Sequence, residues 1–468
     1  MTFALPKPFE EEFRTTFGPE LFSRVRSGLT LEEPVVSIRV NGQKASISRD
    51  SSDRVAWFNE LGTYITGDRP LFGADPLWHV GAYYVQEAGS MFVSRFLSGE
   101  RPQVVLDLCA APGGKSTLLR DAFGAESGDP MPLLICNEPA KDRASILSEN
   151  IHRWGADETI VVSALPDALA ASGLKADLIL VDAPCSGEGM FRKDPESIKE
   201  WSPGNVDTCV KRQRDILSSA WEMLTDGGLL IYSTCTLNAR ENEDQLLWLL
   251  EHYDSEQLLL DAQWDRLCLL RPGVYRFMPG LTRSEGLTIF AVRKRSGSGP
   301  IRKRKNTPFA KSRLIVPETL SSLPGTLHRY NDVYFHLGDE GQRILDLLTG
   351  TKGIQIRSAG VPIGEQKGKD FVPNQSWVCS PILSKALPFP KVEVDTDTAL
   401  ALLKRENVLV ESGHTGFHLV TYRGLPLTII KHLGNRTNSL FPKEWAIRNS
   451  RISSSDIPSL PLIVHTNE

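Results

Sequence analysis

Residues 104–116 read VVLDLCAAPGGKS, an apolar run rich in β-branched side chains that reaches an acid and opens into a loop of small residues. A buried strand followed by such a loop and then a helical pattern is how a parallel α/β sheet presents a ligand to helix N-terminal amides. The alternation continues outward through LLICNE from Leu133, TIVVSA from Thr159, DLILVD from Asp177 and LLIYST from Leu229. Between these runs lie ASILSENIHRW (144–154) and the stretch 206–224, where Ile216, Leu217, Ala220 and Leu224 recur at helical spacing. The pattern predicts a doubly wound α/β domain over residues 96–293, with LTIFAVRK (287–294) as an added edge strand.

A chain of 468 residues is too long for one core. Residues 1–95 combine a helical start, the strand-like VVSIRVNG and a second helical stretch, YYVQEAGSMFVSRFL, and are expected to form an N-terminal extension packed on the α/β domain. Residues 294–313, KRSGSGPIRKRKNTPFAKSR, carry no hydrophobic period and read as a basic linker. Residues 314–468 offer short strand-like pieces (VYFHL, GIQIRSAGVPIG, FHLVTYRGLPLTII) and one helical stretch near TALALLKREN, a β-rich or α+β region.

No apolar run approaches the roughly 18 residues of a membrane span, and the start MTFALPKPFEEEF lacks the basic and apolar parts of an export signal. The expectation is a cytoplasmic protein without a membrane partner. Seven cysteines, odd in number and without a CxxC pair or a Cys/His cluster, imply free thiols and no metal site. A net charge of −4 argues against indiscriminate coating of nucleic acid, so any RNA contact must come from local patches. Such patches are Lys211, Arg212 and Arg214 on one helix, Arg302 to Lys305 in the linker, and the interleaved Lys431, His432, Arg436, Phe441, Lys443, Trp445 and Arg448 of the tail.

The loop Cys109, Ala110, Ala111, Pro112, Gly113, Gly114, Lys115 ends like a P-loop, but GxxxxGK[ST] needs a glycine where Cys109 stands. GxGxxG fails as well, because Gly113 and Gly114 are adjacent. What remains is a small-residue loop that admits a ligand close to the backbone, either an adenosyl ligand or only a tight turn. Glu138, ending the next strand, stands where an acid accepts hydrogen bonds from a ribose diol.

DAPCSGEGMFRKDP starts at Asp182 and STCTL at Ser233, at the ends of the fourth and fifth predicted strands. Neighbouring strands beside the switch point would aim Cys185 and Cys235 into one pocket. A lone cysteine is commonly just a small buried hydrophobe. Two beside a ligand loop suit a specific reaction. C5 of cytosine becomes nucleophilic once a thiolate adds to C6, and after C5 is methylated a second thiol can take its proton. The nucleophile needs an electropositive setting, for which Arg192 and Lys193, or Lys115, are candidates. Asp182 is placed to receive the base, or to cap its own loop. Ser186, Gly187 and Gly189 are small enough to admit a base plane and equally suit a turn.

CAAPGGK, DAPCSGEG and STCTL followed by NARENE resemble, in this order, the motifs of the NOL1/NOP2/Sun family of RNA cytosine-C5 methyltransferases; SIRVN (37–41) and YYVQEAGSM (83–91) are similar to that family too. The longer DAPCSGEGMFRKDP and the tail GLPLTIIKHLGNRTNSLFPKEW resemble its bacterial RsmF-type branch, which acts on 16S ribosomal RNA of the small subunit. The resemblance implies a Rossmann-like domain using S-adenosylmethionine and a PUA-like end. It also implies Cys235 as nucleophile, Cys185 as the group that assists release, and Cys109 to Lys115, Glu138 and Asp182 as contacts to cofactor or base. The expected partner is 16S ribosomal RNA or the small subunit, the protein acting as a monomer.

This chain departs from the family at Ser163 and Ala164, where an adenine-holding acid or amide is common, at Gly280, where a histidine is common, and at Leu287 and Thr288, where aromatics are frequent. Two other readings compete. One is a transfer RNA methyltransferase with the same chemistry, and the other a noncatalytic RNA-binding assembly factor.

Overall fold

A computed structural model describes residues 4–48, 53–124, 131–295, 325–330, 332–368, 370–410 and 413–465, together with Leu320 and Leu323. Nearly all of the predicted linker, including Arg302 to Lys305, lies outside the described residues.

The centre is a nine-stranded mixed sheet. Five strands run parallel: β1 (Val104–Asp107), β2 (Leu133–Asn137), β3 (Thr159–Ser163), β4 (Ala176–Asp182) and β5 (Leu224–Thr234), in the order β3-β2-β1-β4-β5. Their near-continuous apolar character follows from burial on both faces. Val105, Leu134 and Val161 face one core with Phe92, Leu118 and Leu147. Val104, Ile135 and Ile160 face the other with Leu169, Leu217 and Ala220.

Helices α1 (Gly114–Ala122), α2 (Lys141–Trp154), α3 (Pro166–Ala171) and α4 (Pro203–Met223) connect the strands, and α5 (Glu243–His252) follows β5. Ser202 caps α4 by accepting the Asn205 amide at 3.1 Å, with Pro203 in the first turn, where a missing N–H costs nothing.

Beyond β5 the antiparallel strands β6 (Ser255–Leu258), β7 (Tyr275–Phe277) and β8 (Leu287–Lys294) complete that side. The stretch LTIFAVRK was expected at the edge, but β8 lies between β5 and β6. Its first six residues are buried, which suits an interior strand. The opposite edge is covered by β9 (Gln355–Ala359), antiparallel to β3 and supplied by the C-terminal region.

The N-terminal region consists of helices Lys7–Phe17 and Pro19–Thr30 and a three-stranded antiparallel sheet centred on Val36–Val40. YYVQEAGSMFVSRFL is not one helix. Tyr83–Val85 is a strand paired with Val36–Val40, and only Gly89–Phe96 coils, as a 3-10 helix. Aromatic and β-branched side chains favour the strand. The Glu87 carboxylate then starts the turn by accepting the amides of Gly89 (2.9 Å) and Ser90 (2.8 Å).

The C-terminal region holds two four-stranded sheets. Its last strand, Leu462–Val464, pairs with Ala45–Ile47 of the N-terminal region. Among the described residues, no helix is long and apolar enough to cross a membrane.

Candidate active site

β1 turns through Cys109 into the small-residue loop, where Gly113 adopts a left-handed φ of 112° and precedes α1. Asn137 ties three strand ends together, donating to Leu108 O (3.0 Å) and accepting from the Ala164 amide (3.1 Å). Ala110 donates its amide to Asn137 O at 2.8 Å, and Arg143 reaches Ala111 O at 3.2 Å. Gly114 packs so near Tyr84 that a Cβ would meet the ring at 3.3 Å. Cys109, Ala110, Ala111, Pro112, Gly113, Gly114 and Lys115 therefore rim the carboxyl end of β1.

Glu138 flanks this rim beyond β2. Its carboxylate is nearly buried and held by the Ala140 amide (2.9 Å) and Arg143 (3.3 Å). Asp182 flanks it beyond β4. One Asp182 oxygen accepts from Ser233 at 2.7 Å and the other from Lys115 at 2.8 Å, and 31% of the side chain stays exposed. A nearly buried acid, the first amides of α1 and a second, accessible acid form a set of acceptors and donors that fits an adenosyl ligand bearing an amino acid tail.

Asp182 and Ser233 are register partners in the parallel pair β4/β5, so the two loops that follow leave the sheet side by side. They bring Cys185 Sγ to 3.2 Å from Cys235 Sγ, with both residues half-buried. The hydrogen bond to Cys235, then burial, hold the Cys185 thiol well above its ordinary range, and the nearby charge of Glu241 adds to this. Burial opposes the charge of Lys115, yet Asp182, with help from Cys235 and Glu87, holds its amine above the ordinary value. A firmly cationic Lys115 stands within electrostatic reach of the thiols.

Three family profiles match the chain. They are 16S rRNA methyltransferase RsmB/F over residues 95–291, the N-terminal domain of 16S rRNA methyltransferase RsmF over 5–88, and the methyltransferase RsmF PUA domain over 389–447. The ribosomal RNA small subunit methyltransferase F of Shewanella loihica is 30% identical over 442 residues, spanning 86% of this chain and 85% of that protein. The chain belongs to the methyltransferase F family. The Klebsiella pneumoniae protein of the same name is 28% identical over 458 residues, 90% of this chain and 92% of its own. Two solved structures share the fold. A methyltransferase homolog from Pyrococcus horikoshii superimposes with a TM-score of 0.51 at 24% identity, covering 62% of this chain and 95% of that one. NSun6 from Pyrococcus horikoshii with SFG does so with a TM-score of 0.52 at 22% identity, covering 62% and 98%.

In this member of the methyltransferase F family, several residues read from the sequence do other work. Arg192 is not part of the thiols' setting. It is buried, pairs with Glu285 at 2.9 Å and donates to Gly28 O and Ser284 O at 3.1 Å, pinning the N-terminal helices. Lys193 is exposed. Gly189 admits protein backbone, since a Cβ there would lie 2.8 Å from Cys235 O and 2.9 Å from the Gly286 Cα. Ser186 is buried and hydrogen-bonded to Glu241 and Thr236.

In the tail, Phe441 is fully buried and is not a free stacking platform, while Trp445 packs half-buried against the same core; Lys443 and Arg448 are exposed. On α4, Lys211 and Arg212 face solvent, while Arg214 lies over the Trp248 ring at 5.6 Å.

Sequence reasoning assigned Glu188, Asn238 and Glu241 no role, yet they tie the two cysteine loops together. Their signal was present in SGEG and NARENE, where buried acids sit within six residues of each cysteine.

Proposed function

We propose that this chain methylates C5 of a cytosine in 16S ribosomal RNA of the small subunit, using Cys235 as covalent nucleophile, Cys185 to assist release and Asp182 to orient the base. The reading is supported above all by the two thiols at 3.2 Å on neighbouring strand ends. Cys109 to Lys115, Glu138 and Asp182 would hold S-adenosylmethionine, the family's cofactor, which when bound supplies an electrophilic methyl group to C5.

The hydrogen bond between the sulfurs, burial and the charge of Glu241 favour the protonated form of Cys185 and leave attack to Cys235. Cys235 therefore attacks, forming a bond from its sulfur to C6 and enriching C5 with electrons. Bonding to carbon takes away the hydrogen bond to the Cys235 sulfur that raises the Cys185 thiol. Cys185 then ionises more readily, at the step where a base must take the C5 proton. As the proton leaves C5, the double bond re-forms and the bond from C6 to Cys235 breaks. Asp182, steadied by Lys115 and Ser233, would accept from the exocyclic amino group, and if protonated would donate to the ring nitrogen as C6 is attacked.

Residues 1–95 and 314–468 would grip the RNA around the catalytic residues 96–293, with 294–313 as tether. A base inside folded RNA must be unstacked at a cost of a few kcal/mol, so the substrate offers a loop or an openable helix.

The test offers small subunits, naked 16S RNA and transfer RNA, from cells lacking the gene, to the protein with radiolabelled S-adenosylmethionine. Label is expected in 5-methylcytosine of 16S RNA, abolished by Cys235→Ala. Cys185→Ala should leave a protein–RNA adduct that survives denaturing electrophoresis. Label confined to transfer RNA would keep the chemistry and overturn the substrate, and label insensitive to Cys235→Ala would overturn the nucleophile.

A further inference from the structure

The loops that carry the two thiols are joined by a pair of buried carboxylates, each crossing to the other loop. Glu241, on the Cys235 loop, accepts the amide of Ser186, the residue after Cys185, at 3.0 Å. It also accepts the Ser186 hydroxyl at 2.5 Å, Gln213 Nε2 at 2.7 Å and Asn238 Nδ2 at 2.9 Å. Glu188, on the Cys185 loop, accepts the amides of Leu237 and Asn238, just past Cys235, both at 2.9 Å. Its other oxygen takes Asn238 Nδ2 and Trp201 Nε1 at 3.0 Å. Asn238 thus serves both acids, and the Gly189 amide meets Cys235 O directly at 2.9 Å.

Both carboxylates are essentially buried, and among the described residues neither has a Lys or Arg in ion-pair contact. Burying acids without a cation opposite them is costly, and neutral groups or apolar packing would close two loops more cheaply. What carboxylate acceptors add is stiffness, because charge-assisted hydrogen bonds are shorter and about twice as strong as neutral ones. The four donors on Glu188 favour its ionised form against the burial that pushes its carboxyl up to about 7. Glu241 also keeps negative charge beside Cys185, which favours its protonated form.

We propose that Glu241 and Glu188 are positioning residues which, through the amides flanking Cys185 and Cys235, fix the spacing of the two sulfurs and so couple adduct formation to adduct release. This rests on the assignment of the two thiols given above. Attack on C6 needs Cys235 alone, whereas release needs Cys185 held close to C5 while Cys235 is bonded to C6. Loosening the brace therefore slows the second step more than the first.

The experiment measures, for each variant on small subunits, the ratio of denaturation-resistant protein–RNA adduct to 5-methylcytosine formed. Glu241→Ala and Glu188→Ala should raise that ratio at least about tenfold, a scale typical of misplaced reacting groups. Glu241→Gln, which keeps the shape but loses the charge and one acceptor, should raise the ratio by a smaller factor than Glu241→Ala. The nitrogen it introduces would meet donors, because the oxygen that takes Gln213 Nε2 also takes the Ser186 amide, and turning the Gln213 amide to accept would give up its bond to Pro184 O. A purely structural role predicts that both steps fall together, leaving the ratio unchanged in folded Ala variants, and this would overturn the proposal. Should either Ala variant fail to fold, Asn238→Ala, which removes the donor shared by both acids, carries the same expectation and the same refutation. If instead wild-type protein makes no 5-methylcytosine, or Cys185→Ala traps no RNA, it is the assignment of the thiols that falls.

Discussion

The structure excludes a side chain at Gly280. Its φ is 79°, and a Cβ would lie 2.3 Å from Arg24 O on the second N-terminal helix. Gly28 on that helix is equally tight, with a Cβ placed 2.3 Å from the Gly280 amide nitrogen. The two backbones touch where side chains would keep them apart. Gly280→Ala should therefore destabilise by at least about 1–3 kcal/mol through overpacking and a strained φ together. Urea unfolding measures it, and an unchanged midpoint would show that the helix yields freely. Thr288 likewise serves a local purpose. Its hydroxyl donates to Thr236 O at 2.9 Å, one residue past Cys235.

At the level of elements, the N-terminal helix Lys7–Phe17 is a buttress for the thiol loops. Phe9 sets its ring against Phe191 at 5.3 Å and Trp201 at 5.9 Å, both edge-on. Trp201 in turn donates to Glu188, and Leu237 belongs to the same cluster. Phe9→Ala should cost about 3–5 kcal/mol, the range for a large buried aromatic. Because the cavity opens under the loops that hold the cysteines, methylation should fall at temperatures where the variant is still fully folded by circular dichroism. Activity that tracks only the folded fraction would refute the buttress.

Across the whole molecule, the C-terminal region is built into the catalytic sheet. β9 covers β3, whose five residues are all buried, and Leu462–Val464 closes on Ala45–Ile47. A fragment ending at residue 313 would expose both strand edges, so it should be recovered largely as aggregate in size-exclusion chromatography. A soluble monomeric fragment would contradict this.

The same seam contains Asp157, which accepts the Ser380 hydroxyl at 2.9 Å; burial pushes its carboxyl up to about 7, offset in part by that bond. The folded state therefore holds this proton more tightly than the unfolded chain does, and its stabilising contribution is lost as pH rises from about 4 to about 7. Asp157→Asn should make the melting temperature depend less on pH across that window, and an unaltered slope would contradict the assignment.

Much of this was legible along the chain, because the features involved are local. Parallel strands buried on both faces must be continuous apolar runs, and a ligand loop must directly follow its strand. VVLDLCAAPGGKS, DLILVD and LLIYST carried that information without reference to anything distant, and strand adjacency alone sufficed to bring Cys185 and Cys235 together. The partners of Arg192 were not legible, since Glu285 lies 93 residues away and an arginine in a motif looks the same whether it faces a thiol or a helix carbonyl. Nor was the fate of Phe441, because interleaved basic and aromatic residues look alike in a core and on an RNA-binding face. The tail strand that completes the catalytic sheet and the crossed carboxylates between the thiol loops share one physical reason. Each is a pairing across long sequence separation, which no local periodicity encodes and only the packed chain can select.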